Sequence, residues 1–327
     1  MNIRLRKILV WALCIVPLLI VALSIHTVGA VPVLRIEITT DSAVYNVNSN
    51  ININVNITLD GDPAPNVAAI EIVSPYGNPY IIRTVKTGNV SQMYARVQFV
   101  DLYMCTSSGT PKTLFNRGEI AYINVTIKNI DVIDHVVLIG MYAQSSDNTP
   151  LYAYFPTNGT LGAEHVVTYF LSFPIPTNAP TGQASLFGSL FTAHPANGGY
   201  AYCQEQAANF SISASTPELP QQPEYSNITF SLPKKNMKLG NYTIYAATNF
   251  NVVQTSTDNE QFMVVLLGDI NNDLVVNTRD IAIDVALFQT TPSSPNWNPL
   301  ADILKDDVVN MRDIALLVYY FGNSAIL

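Results

Sequence analysis

Charge is scarce in this chain. Asp, Glu, Lys and Arg make up 12% of its 327 residues, about half of the roughly 25% usual in soluble proteins. Basic residues are the scarcer kind, 16 against 24 acidic, for a net charge of −8. With no basic stripe to neutralise phosphates, nucleic acid is excluded as a partner. Histidine occurs four times, and only His135, His165 and His194 lie beyond the N-terminal segment. None belongs to an HExxH pattern, and the chain has neither a GxSxG elbow nor a phosphate-cradling glycine loop. Glu164-His165 opens an apolar strand and reads as a strand-edge pair. Paired carboxylates for glycoside cleavage leave no linear signature, so a polysaccharide-active enzyme stands as the third reading, behind two non-catalytic ones. Cysteine occurs three times. Cys14 falls in the N-terminal apolar run, which leaves Cys105 and Cys203 as a pair, expected to form one disulfide in an oxidising compartment, with two unrelated buried thiols as the alternative. Only one apolar run approaches the length of a membrane span.

That run is at the N-terminus. Arg4, Arg6 and Lys7 precede the apolar stretch Ile8–Ile25, and Val28-Gly29-Ala30 offers small residues for cleavage. Residues 1–30 therefore read as a signal peptide or a retained membrane anchor. Under either reading the rest of the chain is expected to be secreted or on the extracellular cell surface. Membrane contact is expected only through this segment, if it is uncleaved. Seven Asn-x-Ser/Thr sequons start at Asn56, Asn89, Asn124, Asn158, Asn209, Asn227 and Asn241.

Between export segment and C-terminus the patterning is that of strands. SNININVNITLD alternates Ile51, Ile53, Val55, Ile57 and Leu59 with asparagines, a period of two that marks a strand with one buried face. VLRIEITT and VAAIEIVSP flank it, with Tyr45 and Tyr80 as core aromatics. A second strand-rich stretch holds GEIAYINVTIKN, DHVVLIGMYAQS, HVVTYFLSFPI, ASLFGSLFTA and GGYAYC between Gly, Pro, Asn and Ser clusters. About six short strands at such intervals suggest an immunoglobulin-like sandwich. Side-by-side first and last strands would bring Cys105 and Cys203 together. After the linker PELPQQPEY, about three more strands follow in SNITFSLPKK, GNYTIYAATNF and NEQFMVVLL. These are too few for a stable domain alone. The expected layout is a discontinuous sandwich of residues 31–92 plus 217–265, interrupted by an inserted sandwich of 93–216. The fold class is mainly β, ending in a small helical module at 266–327.

In that module acidic residues recur at fixed spacing. GDINNDLVVNTRD places Asp269, Asn271, Asp273, the Val275 carbonyl, Asn277 and Asp280 at positions 1, 3, 5, 7, 9 and 12 of an EF-hand-like loop. A shift of 33 residues gives ADILKDDVVNMRD, with Asp302, Asp306, the Val308 carbonyl, Asn310 and Asp313 in the same places. Residues 269–288 and 302–321 are identical at 12 of 20 positions, counting Asp269, Ile270, Asp273, Val275, Val276, Asn277, Arg279, Asp280, Ile281, Ala282, Val285 and Phe288. This is an internal duplication. Each loop leads into an apolar segment with helical spacing, DIAIDVALF and DIALLVYYF.

The pair resembles a dockerin, the module of two calcium-loop–helix units that binds cohesin domains. Strand-like FMVVLL and proline-rich TTPSSPNWNP stand before the loops where ordinary paired EF-hands carry helices. The resemblance covers residues 266–323 and implies calcium as cofactor and a cohesin-like protein domain as partner. It places partner recognition on Thr278 and Arg279 in one repeat and Met311 and Arg312 in the other. Two departures predict weakened calcium binding. Position 6, normally Gly, holds Leu274 and Asp307, and position 3 of the second loop holds Leu304. In TTDSAVYNVNSNININVNITLDG, PYGNPYIIRT and LGNYTIYAAT the sandwich portion resembles the immunoglobulin-like modules of prokaryotic secreted and surface proteins, which implies adhesion, spacing or display. Together these imply a non-catalytic extracellular scaffold attached through calcium, within an assembly on polysaccharide, with a glycan as second ligand class. The alternative is a structural surface protein or adhesin stiffened by calcium.

Overall fold

The computed structural model describes residues 32–88, 96–213, 227–250 and 254–326. The N-terminal segment expected to direct export, the sequon at Asn89 and the expected linker at 217–225 lie outside the described residues. Among those described, no helix is long and apolar enough to cross a membrane.

The chain is mainly β. It opens with β1 (Leu34–Thr40), β2 (Val44–Asn46), β3 (Asn50–Leu59), β4 (Asp62–Pro63), β5 (Asn66–Val73) and β6 (Pro79–Thr87). Next come β7 (Val97–Cys105), β8 (Leu114–Phe115), β9 (Ile120–Asn129), β10 (His135–Ser145), β11 (Pro150–Leu161), β12 (Val166–Pro174), β13 (Gly182–Phe191) and β14 (Gln206–Ile212). The last part holds β15 (Asn227–Ser231), β16 (Met237–Lys238), β17 (Gly240–Phe250), β18 (Gln254–Val265), α1 (Thr278–Ala286), α2 (Met311–Tyr319) and β19 (Ala325–Ile326).

Strands distant in sequence share sheets. One sheet runs β1-β3-β15 with β4 on β3, and a second runs β2-β18-β17-β5-β6. The alternation in β3 is realised directly, with Ile51, Ile53, Val55 and Ile57 buried and Asn54 and Asn56 exposed. Each buried isoleucine contributes about 1.5–3 kcal/mol through burial. Tyr45 packs edge-on to Phe262, and Tyr80 against Tyr242 and Phe230, within the core shared by the two sheets.

The intervening residues build sheets of their own, β12-β9-β7 and β11-β10-β13-β14-β8, around a separate core. Strand β10 is buried on both faces. Val137, Ile139 and Met141 belong to that second core, whereas Leu138 and Tyr142, with Phe187 and Phe191 of β13, join the first. Gly140 permits this approach, since a Cβ there would sit 2.7 Å from Ile82 Cγ2 and 2.8 Å from Phe191 Cε2.

The structure differs from the sequence reading at three points, two corrected expectations and one strand the reading did not name. GGYAYC forms no strand; a single bridge joins Ala201 to Phe191. The twelve-residue β11 lacks an obvious strand signature because Pro156 and Asn158-Gly159 read as a turn. Its place at the sheet edge tolerates them, since an edge proline leaves no ladder bond unmade. Third, Cys105 and Cys203 are both buried and free, not bridged. The Cys203 thiol lies beside the backbone amide of Phe99. Phe99 lies six residues before Cys105 on β7, roughly 20 Å along an extended strand. A disulfide needs Cα atoms within about 7 Å.

Candidate metal centre

Strand β18 runs through Leu266-Leu267 into the first aspartate loop. Within it Asp269, Asp273 and Asp280 each place a carboxylate oxygen within 4.8 Å of the others, and Asp302, Asp306 and Asp313 do the same in the second. Either triad could hold a metal ion.

The backbone wraps each loop around its acids in the same way. Asp280 Oδ1 accepts the amides of Ile270 (2.9 Å) and Asn271 (3.3 Å), and its Oδ2 accepts that of Asn277 (2.8 Å). Asp269 accepts from Asp273 and Leu274, both at 3.0 Å. In the second loop Asp313 accepts from Leu304 (3.0 Å) and Asn310 (2.9 Å), and Asp302 accepts from Asp306 (3.1 Å) and Asp307 (3.0 Å). The amides hold the carboxylates in place. In both loops the first and last aspartates are buried and the middle one exposed.

Asn277 and Asn310 each cap the following helix, accepting the amides of Arg279 and Arg312 at 2.8 Å in reciprocal capping boxes with Asp280 and Asp313. Their amide groups point back to the carbonyls of Val275 (3.0 Å) and Val308 (3.1 Å). Asn271 donates to Asp273 (3.0 Å). Every sequence-derived ligand residue thus lies in one of two compact loops. Thr278, Arg279, Met311 and Arg312 are exposed at the first turns of α1 and α2. Arg279 reaches back to Asp273 at 3.8 Å.

Position 6 has the left-handed backbone its usual glycine serves, φ 66° at Leu274 and 65° at Asp307. For Leu274 this costs roughly 1–2 kcal/mol. Position 4 is left-handed too, at Asn272 (58°) and Lys305 (60°), which the spacing did not announce.

The repeats interlock. Gly322 donates to the Val276 carbonyl (2.9 Å), and Val276 to that of Asn323 (3.0 Å). One repeat earlier, Gln289 donates to Val309 (2.7 Å), and Val309 to Thr290 (3.0 Å). Each loop therefore pairs with the segment following the other repeat's helix, a twofold pseudosymmetry matching the 33-residue shift.

One acid lies outside the pattern. Asp284, on the inner side of α1, is fully buried and neither carboxylate oxygen has a hydrogen-bond partner. Burial, reinforced by the nearby Asp313 carboxylate, pushes its pKa up to about 6. Its counterpart in the second repeat is Leu317, also fully buried. The helical spacing of DIAIDVALF gave no sign of an unpartnered buried acid at this position. Burial also raises the pKa of Asp269, and the Asp280 and Asp273 carboxylates add to this.

No family model matches the chain, and no curated protein does. Among solved structures it is similar to the C-terminal domain of wzt, at 11% identity over 40% of this chain and 85% of that one, with a TM-score of 0.32. It is similar also to the Pseudomonas fluorescens alkylpurine DNA glycosylase AlkC bound to DNA, at 12% identity and TM-score 0.29, over 37% of this chain and 31% of that one. A third is the β-glucosidase from Listeria innocua in complex with glucose, at 15% identity and TM-score 0.24, over 36% of this chain and 16% of that one. The chain thus spans under a third of the glycosylase and of the glucosidase. Scores this low carry no argument.

Proposed function

We propose that this chain is a non-catalytic extracellular scaffold whose residues 266–327 form a dockerin-like module, bind calcium at two loops and attach the chain to a cohesin-like protein domain. The observation that carries the reading is the pair of aspartate triads, each set in a loop of the same hydrogen-bonding plan and related by the 33-residue repeat. Both donor sets consist of oxygen alone, which suits a hard divalent cation, and the twelve-residue spacing suits the larger coordination number of calcium. Asp269, Asn271, Asp273, the Val275 carbonyl and Asp280 would hold one ion. Asp302, Asp306, the Val308 carbonyl and Asp313 would hold the other. Asn277 and Asn310 stand at position 9, where a water often intervenes.

The partner surface is supported by exposed apolar residues beside the recognition positions. Met311 is 64% exposed and Tyr319 73%, and the repeat-related pairs Val285/Val318 and Phe288/Phe321 are exposed as well. Single exposed hydrophobics are ordinary, but repeat-related pairs of this kind fit a docking face. In this reading the two β bodies are immunoglobulin-like sandwiches, one inserted in the other, that display the chain's outer surface.

Calorimetric titration of the full chain with calcium tests the proposal. The expected result is saturable binding, lost in Asp269→Ala/Asp302→Ala, with calcium-dependent capture by a cohesin domain. Absence of binding at millimolar calcium would overturn it.

One observation favours the structural alternative. β19 pairs in parallel with β16, and Ser324 donates to the Lys234 carbonyl at 3.0 Å. The module is therefore fastened to the first β body at both ends, as a calcium-stiffened stalk would be. Calcium binding without any cohesin capture would favour that reading.

A further inference from the structure

The two loops are unequal. The first has Asn271 at position 3, whereas the second has Leu304 and offers no oxygen there. The same module contains a carboxylate with nothing to bind. Asp284 is fully buried, both its oxygens lack partners, and it is close enough to Asp313 for the two acids to repel.

The repeat explains its location. Leu317, its counterpart, packs against the first loop, with Cγ 3.6 Å from where a Cβ on Gly268 would lie, beside Val276. Ala301 and Val309 are the corresponding residues of the second loop, and both are fully buried. Asp284 therefore stands to the second loop as Leu317 stands to the first. Apolar surroundings without a hydrogen bond are costly for a carboxylate, and a leucine would fill the same place at no such cost. A buried carboxylate without a partner calls for an explanation, and a cation held nearby supplies one.

We propose that Asp284 is a positioning residue for the cation site of the second loop, a carboxylate from the first repeat's helix that offsets the oxygen lost at Leu304. This rests on the cation-binding reading above. Asp284 is not one of the three acids whose oxygens cluster within 4.8 Å. It would act at a distance, adding negative charge to the surroundings of Asp313 rather than a ligand atom. The first loop has its asparagine at position 3 and a leucine at the corresponding helix position.

The test is calcium calorimetry on the full chain in two backgrounds, Asp269→Ala to isolate loop two and Asp302→Ala to isolate loop one. Asp284→Asn and Asp284→Leu are expected to weaken loop-two binding about tenfold or more, the usual effect of losing an outer-shell partner. Loop one should be unchanged. Urea unfolding without calcium adds a readout of opposite sign, because Asp284→Leu should then be more stable than the parent. Unchanged loop-two affinity alongside that gain would make Asp284 a neutral buried acid and overturn the proposal. Equal weakening of both loops would overturn it as well, by showing a general loss of structure. A parent chain that binds no calcium would remove the function reading and this one together; binding that ignores Asp284 would remove this one alone.

Discussion

Arg83 and Glu205 meet across the junction of the two β bodies, with Nη2 to Oε1 at 2.6 Å and Nε within 3.1 Å of both carboxylate oxygens. Glu205 also accepts the Thr84 amide, and the guanidinium lies 3.9 Å over the Phe187 ring. Removing one partner of such a buried pair strands the other charge. Arg83→Ala is therefore expected to destabilise the chain by about 3–5 kcal/mol. Arg83→Met/Glu205→Leu should recover most of that loss, as double-mutant denaturation would read. A single-mutant loss under about 1 kcal/mol would mean the pair is solvated and the apolar contacts around Gly140 hold the junction alone.

Glu71 lies in the same region, buried on β5, accepting the Ala196 amide at 3.1 Å with His194 at 3.7 Å. Burial holds its pKa above the usual carboxylate value, outweighing that amide and the histidine. A raised folded pKa means the folded state binds the proton more tightly than the unfolded chain. Glu71 thus costs nothing below about pH 4.5, and destabilises progressively as pH rises through its raised folded value. Glu71→Gln should stabilise the protein at pH 7 and leave it unchanged at pH 4, measured by urea unfolding at both. Destabilisation at pH 7 would show that pairing with His194 outweighs burial.

Both cysteines should titrate as free thiols after denaturation, with no mass difference between reduced and non-reduced samples. In the folded chain burial pushes the Cys203 thiol up to about 12 and also raises Cys105. Neither should react with iodoacetamide at pH 8, because the thiolate is the nucleophile. Alkylation of the native chain on the denatured timescale would contradict the packing of Cys203 against Phe99.

How much of this was legible depends on what kind of signal each residue carries. The alternation of Ile51 to Ile57 specifies both a strand and its buried face, so β3 could be read directly. The spacing of Asp269, Asp273 and Asp280, repeated after 33 residues, likewise located both triads, because metal ligands in a loop are local in sequence. Long-range facts left no such trace. Strand β11 hid behind Pro156 because edge position is a property of the sheet. The separation of Cys105 from Cys203 depends on which end of β7 the second thiol meets. Asp284 read as one more residue of an amphipathic helix, since the comparison that singles it out, with Leu317, gains force only once both are known to be buried.

The last relationship joins the module to the body it follows. Val276 pairs with Asn323, Ala325 donates to the Leu274 carbonyl at 3.0 Å, and β19 pairs with Met237–Lys238 beside the first core. At the other end, Leu267 donates to Asn46 Oδ1 at 2.9 Å. Ordering of the first loop by a bound cation would thereby reach β16 through hydrogen-bonded backbone, and the end of β2 through the Asn46 side chain. If the loops bind calcium, saturation at 100 times Kd stabilises the folded chain by about 2.7 kcal/mol per site. For a body of this size that is a rise of several degrees in Tm, roughly 2–4 °C per kcal/mol. Adding a chelator should therefore shift the main unfolding transition of the whole chain, and Asp269→Ala should remove the share of loop one, about half of that shift. Deleting residues 324–327 should uncouple the two, leaving a chelator-sensitive transition for the module and a chelator-insensitive one for the β bodies. A main transition indifferent to chelator in the intact chain would mean that the ribbon is too weak to carry the coupling.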